Sequence, residues 1–384
     1  MNELPDKSLP LELIENILSR LPVKSLKRFR AVEKSWCHLI DSEKFAKTHL
    51  QRSLTSNSNG NLITLSKYGF FWMGLESLDN AQSIEPEFEC ANLDCHALSN
   101  SCNGMVVIVR DSEPHVLWNP FSREHKVLPK CPCDFPNNPS LSCKISFGFG
   151  YDSKNDDYKV VKVMLYEKPS SFMLSEEWIY SLKSDCWRRT KGTYYGRGYW
   201  PAHVNGSLHT IIRTGPVGME RKKIMGFSLV SEKDYEVAMP EEIDEKGLKY
   251  PMLDVFDGCL ALVCNYGSFV HIWVMEEYGV KESWTPWLSF EVEADEVVRP
   301  LAYTKDRDKV VLYCGSKALA LCGLRPTSVQ KLILPFVFWP GVIVETLISP
   351  NGWAGEKSST EKQNNKKEHA CRDDFLSAGF KLVL

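Results

Sequence analysis

The chain has 384 residues, of which 43% are hydrophobic and 25% charged, with a formal net charge of −3. Those proportions are ordinary for globular protein and exclude bulk disorder, collagen, coiled coil and a disulfide-stapled mini-protein. The length calls for two or three domains, or for one small domain beside a large body built of repeats.

Charge varies along the chain. Residues 1–50 carry nine Lys/Arg against seven Asp/Glu, residues 51–355 carry 31 against 37, and residues 356–384 carry six against five. No stretch is basic enough to follow a phosphate backbone, so a nucleic-acid partner is not expected. The acidic middle suits a soluble surface, and weakly a basic partner. Thirteen cysteines at irregular spacing, with no export signal ahead of them, read as reduced thiols of the cytoplasm or nucleus. The longest uncharged run near the C-terminus, residues 332–344, holds two prolines and is too short for a membrane span.

The first 50 residues read as three or four short helices. Ser8 can cap a helix over residues 10–20, where Leu13, Ile14, Ile17, Leu18 and Leu21 form an apolar stripe. Pro22 breaks it and can start a second helix carrying Leu26 and Phe29. A third piece holds Val32, Trp36, Leu39 and Ile40. Ser42 can cap a fourth with Phe45, His49 and Leu50. So small a unit buries little by itself and needs a partner for its apolar face.

From about Leu62 the pattern turns to short β-rich runs separated by Gly, Asn, Asp and Pro. The clearest are residues 105–109, 159–164, 208–212, 259–264, 270–275 and 309–313. Asn103-Gly104, Asn205-Gly206 and Asp257-Gly258 each precede one such run. The turns recur about every 50 residues, or near twice that where one is skipped. Three or four strands per unit at that period predict an all-β, kelch-like propeller of about six blades, giving an α+β chain of two domains. A β-sandwich or two stacked β domains with coincidental turns is the alternative. The domain limits expected are residues 1–50 and 51–354. Residues 355–374 form a polar linker expected to be disordered, and residues 375–384 an apolar end able to pack back and close the last blade.

Catalytic patterns are absent. No nucleophile elbow occurs, and Gly148-Phe149-Gly150 lacks the third glycine and the helix of a phosphate loop. Cys131-Pro132-Cys133 and Cys90…Cys95-His96 are the nearest approach to metal spacing, short of the paired ligands that zinc wants. No cofactor is expected. Two loops suit contact with another protein: Tyr194, Tyr195, Arg197, Tyr199 and Trp200, and more weakly residues 213–223.

Residues 9–40 closely resemble the F-box. The matching positions are Leu9-Pro10, Glu12, Ile17-Leu18, the run from Arg20 to Leu26, Arg28-Phe29-Arg30, Val32, Lys34-Ser35-Trp36 and Leu39-Ile40. One departure is Glu33, where the family often has Cys. The remainder looks like the plant F-box-associated interaction domain. Its marks are Ser101–Gly104, Trp118-Asn119-Pro120, residues 147–161, Ser184 with Trp187, and residues 272–284. The C-terminal ending looks more like the Constitutive Expresser of PR genes branch than the S-locus F-box branch. The resemblance implies a non-catalytic substrate receptor of a Skp–cullin–F-box ubiquitin ligase. Such a receptor binds a Skp-type adaptor directly, and cullin and RING subunits through it. The alternative is an adaptor-bound scaffold outside any ligase. Leu9, Pro10, Leu13, Ile17, Leu18, Leu21, Pro22, Leu26 and Trp36 would form the adaptor interface or the packing that presents it. The body would hold a protein client, by family resemblance an immune receptor, through the Tyr194–Trp200 loop.

Overall fold

A computed structural model describes residues 9–56, 60–66, 68–88, 95–110, 114–133, 142–167, 173–190, 202–215, 221–244, 247–293, 296–315, 318–324, 327–334 and 340–352. Four helices lead: α1 (Leu11–Leu18), α2 (Val23–Phe29), α3 (Lys34–Ile40) and α4 (Glu43–Ser56). Pro10 and Pro22 occupy the caps of α1 and α2, where a missing N–H costs nothing. Ser42 caps the fourth helix as its position predicts, its Oγ accepting the Phe45 amide at 3.2 Å. That helix runs on through residue 50 to Ser56.

The strands then form six four-stranded antiparallel sheets, the blades of a propeller. Blade I begins with β1 (Gly60–Ser66), β2 (Gly69–Gly74) and β3 (Gln82–Ile84). Blade II is β4 (Cys95–Leu98), β5 (Val106–Arg110), β6 (Val116–Asn119) and β7 (Glu124–Val127). Blade III is β8 (Ser142–Asp152), β9 (Asp157–Glu167), β10 (Met173–Ser181) and β11 (Cys186–Arg189). Blade IV is β12 (Ala202–Val204), β13 (Ser207–Thr214), β14 (Arg221–Ser228) and β15 (Asp234–Val237). Blade V is β16 (Met252–Phe256), β17 (Cys259–Asn265), β18 (Phe269–Met275) and β19 (Trp284–Glu291). Blade VI is β20 (Val298–Tyr303), β21 (Lys309–Cys314), β22 (Ala318–Leu324) and β23 (Thr327–Ile333). The last described strand, β24 (Gly341–Val344), returns to pair with β1 and completes blade I. A late strand thus zips the ring shut, which removes the open edge a linear row of sheets would leave. The closing position belongs to β24; the apolar end at 375–384, expected there from the sequence, lies outside the described residues.

The turns behave as their residues predict. Asn103 and Gly104, Asn205 and Gly206, and Asp257 and Gly258 all have positive φ, between 50° and 81°. Two consecutive positive φ values make the primed turn whose twist suits a tight hairpin. Each joins the first to the second strand of a blade. These turns and those between third and fourth strands lie on one face, called here the underside. The opposite, upper face carries the loops between second and third strands and the crossings from blade to blade.

Each sheet is apolar on both sides because both are covered by neighbouring blades. In blades III and IV, Val161, Val163 and Leu165 pack with Leu208, Phe227 and Leu229. Near the axis a buried ion pair joins three blades. Arg299 on β20 donates to Asp254 on β16 at 2.6 and 3.3 Å, and to the Pro340 carbonyl just before β24 at 3.2 Å. Among the described residues no helix is long and apolar enough to cross a membrane.

Candidate functional site

The helical unit sits on the underside, over blades II and III. Its inner side chains share one apolar cluster with the propeller: Leu18, Val23, Leu26, Ile40, Phe45 and Leu50 meet Cys102, Met105, Val107, Phe149 and Leu347. Part of the partner that the isolated helices require is therefore their own chain. Polar links reinforce the seat. The Val23 amide, in the first turn of α2, donates at 3.0 Å to the carboxylate of Glu345, the residue after β24. Burial raises the Glu345 pKa, and the Val23 hydrogen bond lowers it in part. Lys27 reaches Glu124 at 3.3 Å, and Lys47 reaches both Glu43 and Asp156 at 2.6 Å. Hydrogen bonds to those two carboxylates hold the Lys47 pKa above the usual lysine range.

The Glu345 segment is itself held. Asn119, fully buried, donates to the carbonyls of Thr346 and Ile348 at 3.1 and 2.8 Å and accepts from the amides of Phe121 and Ser122. The Trp118-Asn119-Pro120 signature thus has a physical reason: one side chain ties a blade II hairpin to the chain leaving the closing strand. Gly104 is required beside it, since a Cβ there would lie 2.1 Å from Thr346 and φ is +77°.

Above the seat, the outer side of the helices is apolar and open. Leu9, Leu11, Leu13, Ile17 and Val32 are each 50–63% exposed. The sequence-predicted residues divide accordingly. Leu9, Pro10, Leu13, Ile17 and Pro22 lie outward. Leu18 and Leu26 are fully buried, and Leu21 and Trp36 pack partly buried against the same cluster, so these four act within the packing and not on the surface. Trp36 stands edge-on to Phe29 at 5.8 Å. Leu11 escaped the sequence reading, which followed a single stripe. The signal for it is that α1 is apolar on more than one side, as a helix covered by two partners must be.

Of the remaining sequence candidates, Cys90 of the Cys90…Cys95-His96 spacing lies outside the described residues. Gly148-Phe149-Gly150 lies inside β8, and Gly150 is small because a Cβ would meet the His203 ring at 2.3 Å. Cys131 and Cys133 are buried beside Met164 and Tyr166. His203 accepts the Tyr151 amide at 3.3 Å, and burial pushes its pKa down to about 4. No group of three or more His, Cys, Asp or Glu able to hold a metal is found among the described residues. Tyr194, Tyr195, Arg197, Tyr199 and Trp200 lie outside the described residues. The strand ends flanking them, Arg189 and Ala202, open onto the upper face.

The described residues thus form a helical unit with an outward apolar face, seated on a six-bladed propeller. Comparison with known proteins gives it a family. The F-box domain matches residues 7–48, and the F-box associated beta propeller domain matches residues 62–324. The chain belongs to the F-box proteins with an F-box associated β-propeller domain. It is 30% identical to F-box protein CPR1 of Arabidopsis thaliana over 98% of this chain and 100% of that one. It is 31% identical to the F-box/kelch-repeat protein At3g23880 of the same plant, over 77% of this chain and 82% of that one. The first agrees with the branch expected from the C-terminal ending.

Proposed function

We propose that the protein is the substrate receptor of a Skp–cullin–F-box ubiquitin ligase. The outward residues Leu9, Pro10, Leu11, Leu13, Ile17, Pro22 and Val32 dock on a Skp-type adaptor, and the propeller holds a protein client. The chain contributes proximity: it raises the effective concentration of client lysines near a conjugating enzyme and makes or breaks no bond itself. The observation that carries this reading is the exposed apolar face of α1 on a unit whose inner side chains are buried against its own propeller. A folded chain that leaves five large aliphatic side chains half or more exposed on some 25 residues needs a partner over them.

The test is co-purification. The intact chain should bring down the adaptor and, through it, cullin, and its client should accumulate when the proteasome is blocked. Leu9→Ala with Pro10→Ala should abolish adaptor recovery while the propeller keeps its unfolding midpoint. Full adaptor recovery by that variant would refute the docking assignment. Adaptor without cullin would instead mark a scaffold outside the ligase.

A further inference from the structure

Exposed apolar side chains on the propeller are not scattered evenly. Among the described residues, the exposed large hydrophobics of the six blades sit at the upper face with a single exception, Val329 in β23. Four of them fall on two adjacent blades. Tyr250 (62% exposed) precedes β16, and Phe269 (44%) starts β18 on blade V. Val297 (39%) precedes β20, and Ile333 (80%) ends β23 on blade VI. Hydrogen bonds set the segments that carry them side by side within each blade, and the Asn265 side chain donates to the Glu296 carbonyl at 2.8 Å, from blade V to the chain entering blade VI. The Lys249 amide donates to the Asn265 carbonyl, the Val292 amide to Ser268 and the Gly315 amide to Val297. Phe269 pairs with Glu291, and Ala318 with Ile333.

The charges around this ridge are mainly acidic. Asp244, Glu291, Glu293 and Glu296 stand against Lys249 and Lys331 on these two blades. Lys331 is held at 3.0 Å by the mostly buried Glu296 and at 3.2 Å by Glu293. Glu291 and Glu293 stay exposed, Glu293 at 84%. The helical unit sits on the underside of blades II and III, so a partner arriving at the upper face of blades V and VI does not meet it.

We infer that the upper face of blades V and VI binds a client segment with large apolar side chains at its centre and Lys or Arg beside them. This deepens the proposed function and rests on it. The apolar ridge supplies the desolvated contact, and Glu291 and Glu293 select flanking cations and speed encounter.

The test uses the full chain bound to its adaptor. A displayed library of random peptides is selected on the complex, and the recovered consensus peptide is then titrated. The expected consensus is apolar with basic flanks, binding more weakly as salt rises. Phe269→Ser with Ile333→Ser should weaken it by about tenfold or more, with adaptor binding unchanged. Glu291→Lys with Glu293→Lys should redirect selection to acid-flanked peptides. Both pairs are exposed, so unfolding is not the expected cause, and adaptor recovery checks that. Acid-flanked or purely polar peptides on the wild type, no enriched peptide, or a consensus indifferent to both double variants would each overturn the assignment. In cells, a proteasome-sensitive client still held by both variants would leave the receptor reading standing and refute this surface alone. Absence of any such client would count against the receptor reading itself.

Discussion

Glu345 shows how one side chain can affect a surface it never touches. Its carboxylate accepts the Val23 amide and so fixes where α2 begins. Glu345→Ala should orphan that amide at a cost of about 1 kcal/mol and weaken adaptor binding by tilting the helices, although residue 345 is remote from the exposed aliphatic face. Glu345→Gln keeps an acceptor. Because burial raises the carboxylate's pKa, the folded state holds its proton more tightly than the unfolded state does. Stability from this group therefore falls as pH rises from the ordinary glutamate range through the raised value. Urea unfolding should find Glu345→Gln no less stable than wild type at pH 7 and lacking that decline. His203 and His209 act in the opposite sense. Burial holds both down at about 4, so they stay neutral while an unfolded imidazole would take a proton near 6.5. Stability should drop between those values on acidification, by about 1.4 kcal/mol per depressed unit for each histidine. His203→Gln should shrink the drop.

At the level of elements, α1 separates two duties by face. Leu18, 1% exposed, should cost about 2–5 kcal/mol on change to Ala, read as a lowered unfolding midpoint. Leu13→Ala, at a half-exposed position, should leave the midpoint within about 0.5 kcal/mol and cut adaptor affinity. The helices, the six strand runs and the Asn-Gly and Asp-Gly turns were legible because each depends on local signals: apolar spacing, β-branched content, and residues that tolerate positive φ. Which apolar residues of α1 face inward was not legible. Leu13 and Leu18 belong to the same helical stripe, and only the position of the propeller beneath decides between them. The identity of the closing strand was hidden for a similar reason. Gly341–Val344 is four residues long, and its partner β1 lies more than 270 positions away, beyond any periodicity.

At the level of the whole molecule, the ring is bolted near its axis where it closes. Arg299 spans blades V and VI and reaches the chain entering β24. Arg299→Met leaves the Asp254 carboxylate buried without its cation, and should cost about 3–5 kcal/mol in urea unfolding. The slight basicity of the first 50 residues meets the acidity of the body at their seam, where Lys27 pairs with Glu124 and Lys47 with Asp156.

The position of Glu345 and Ile348 in the chain has a consequence for synthesis. The F-box leaves the ribosome before the propeller, yet two pieces of its seat, the Glu345 carboxylate and the 346–348 backbone gripped by Asn119, are translated about 300 residues later. During that interval Leu18, Leu26 and Phe45 lack part of their cover. A premature stop anywhere before Gly341 would produce an open ring and an F-box missing part of its seat together, so a single truncation weakens both ends of the molecule. Nascent chains are most exposed to chaperones and proteases in the same interval, which ends only when the closing strand emerges.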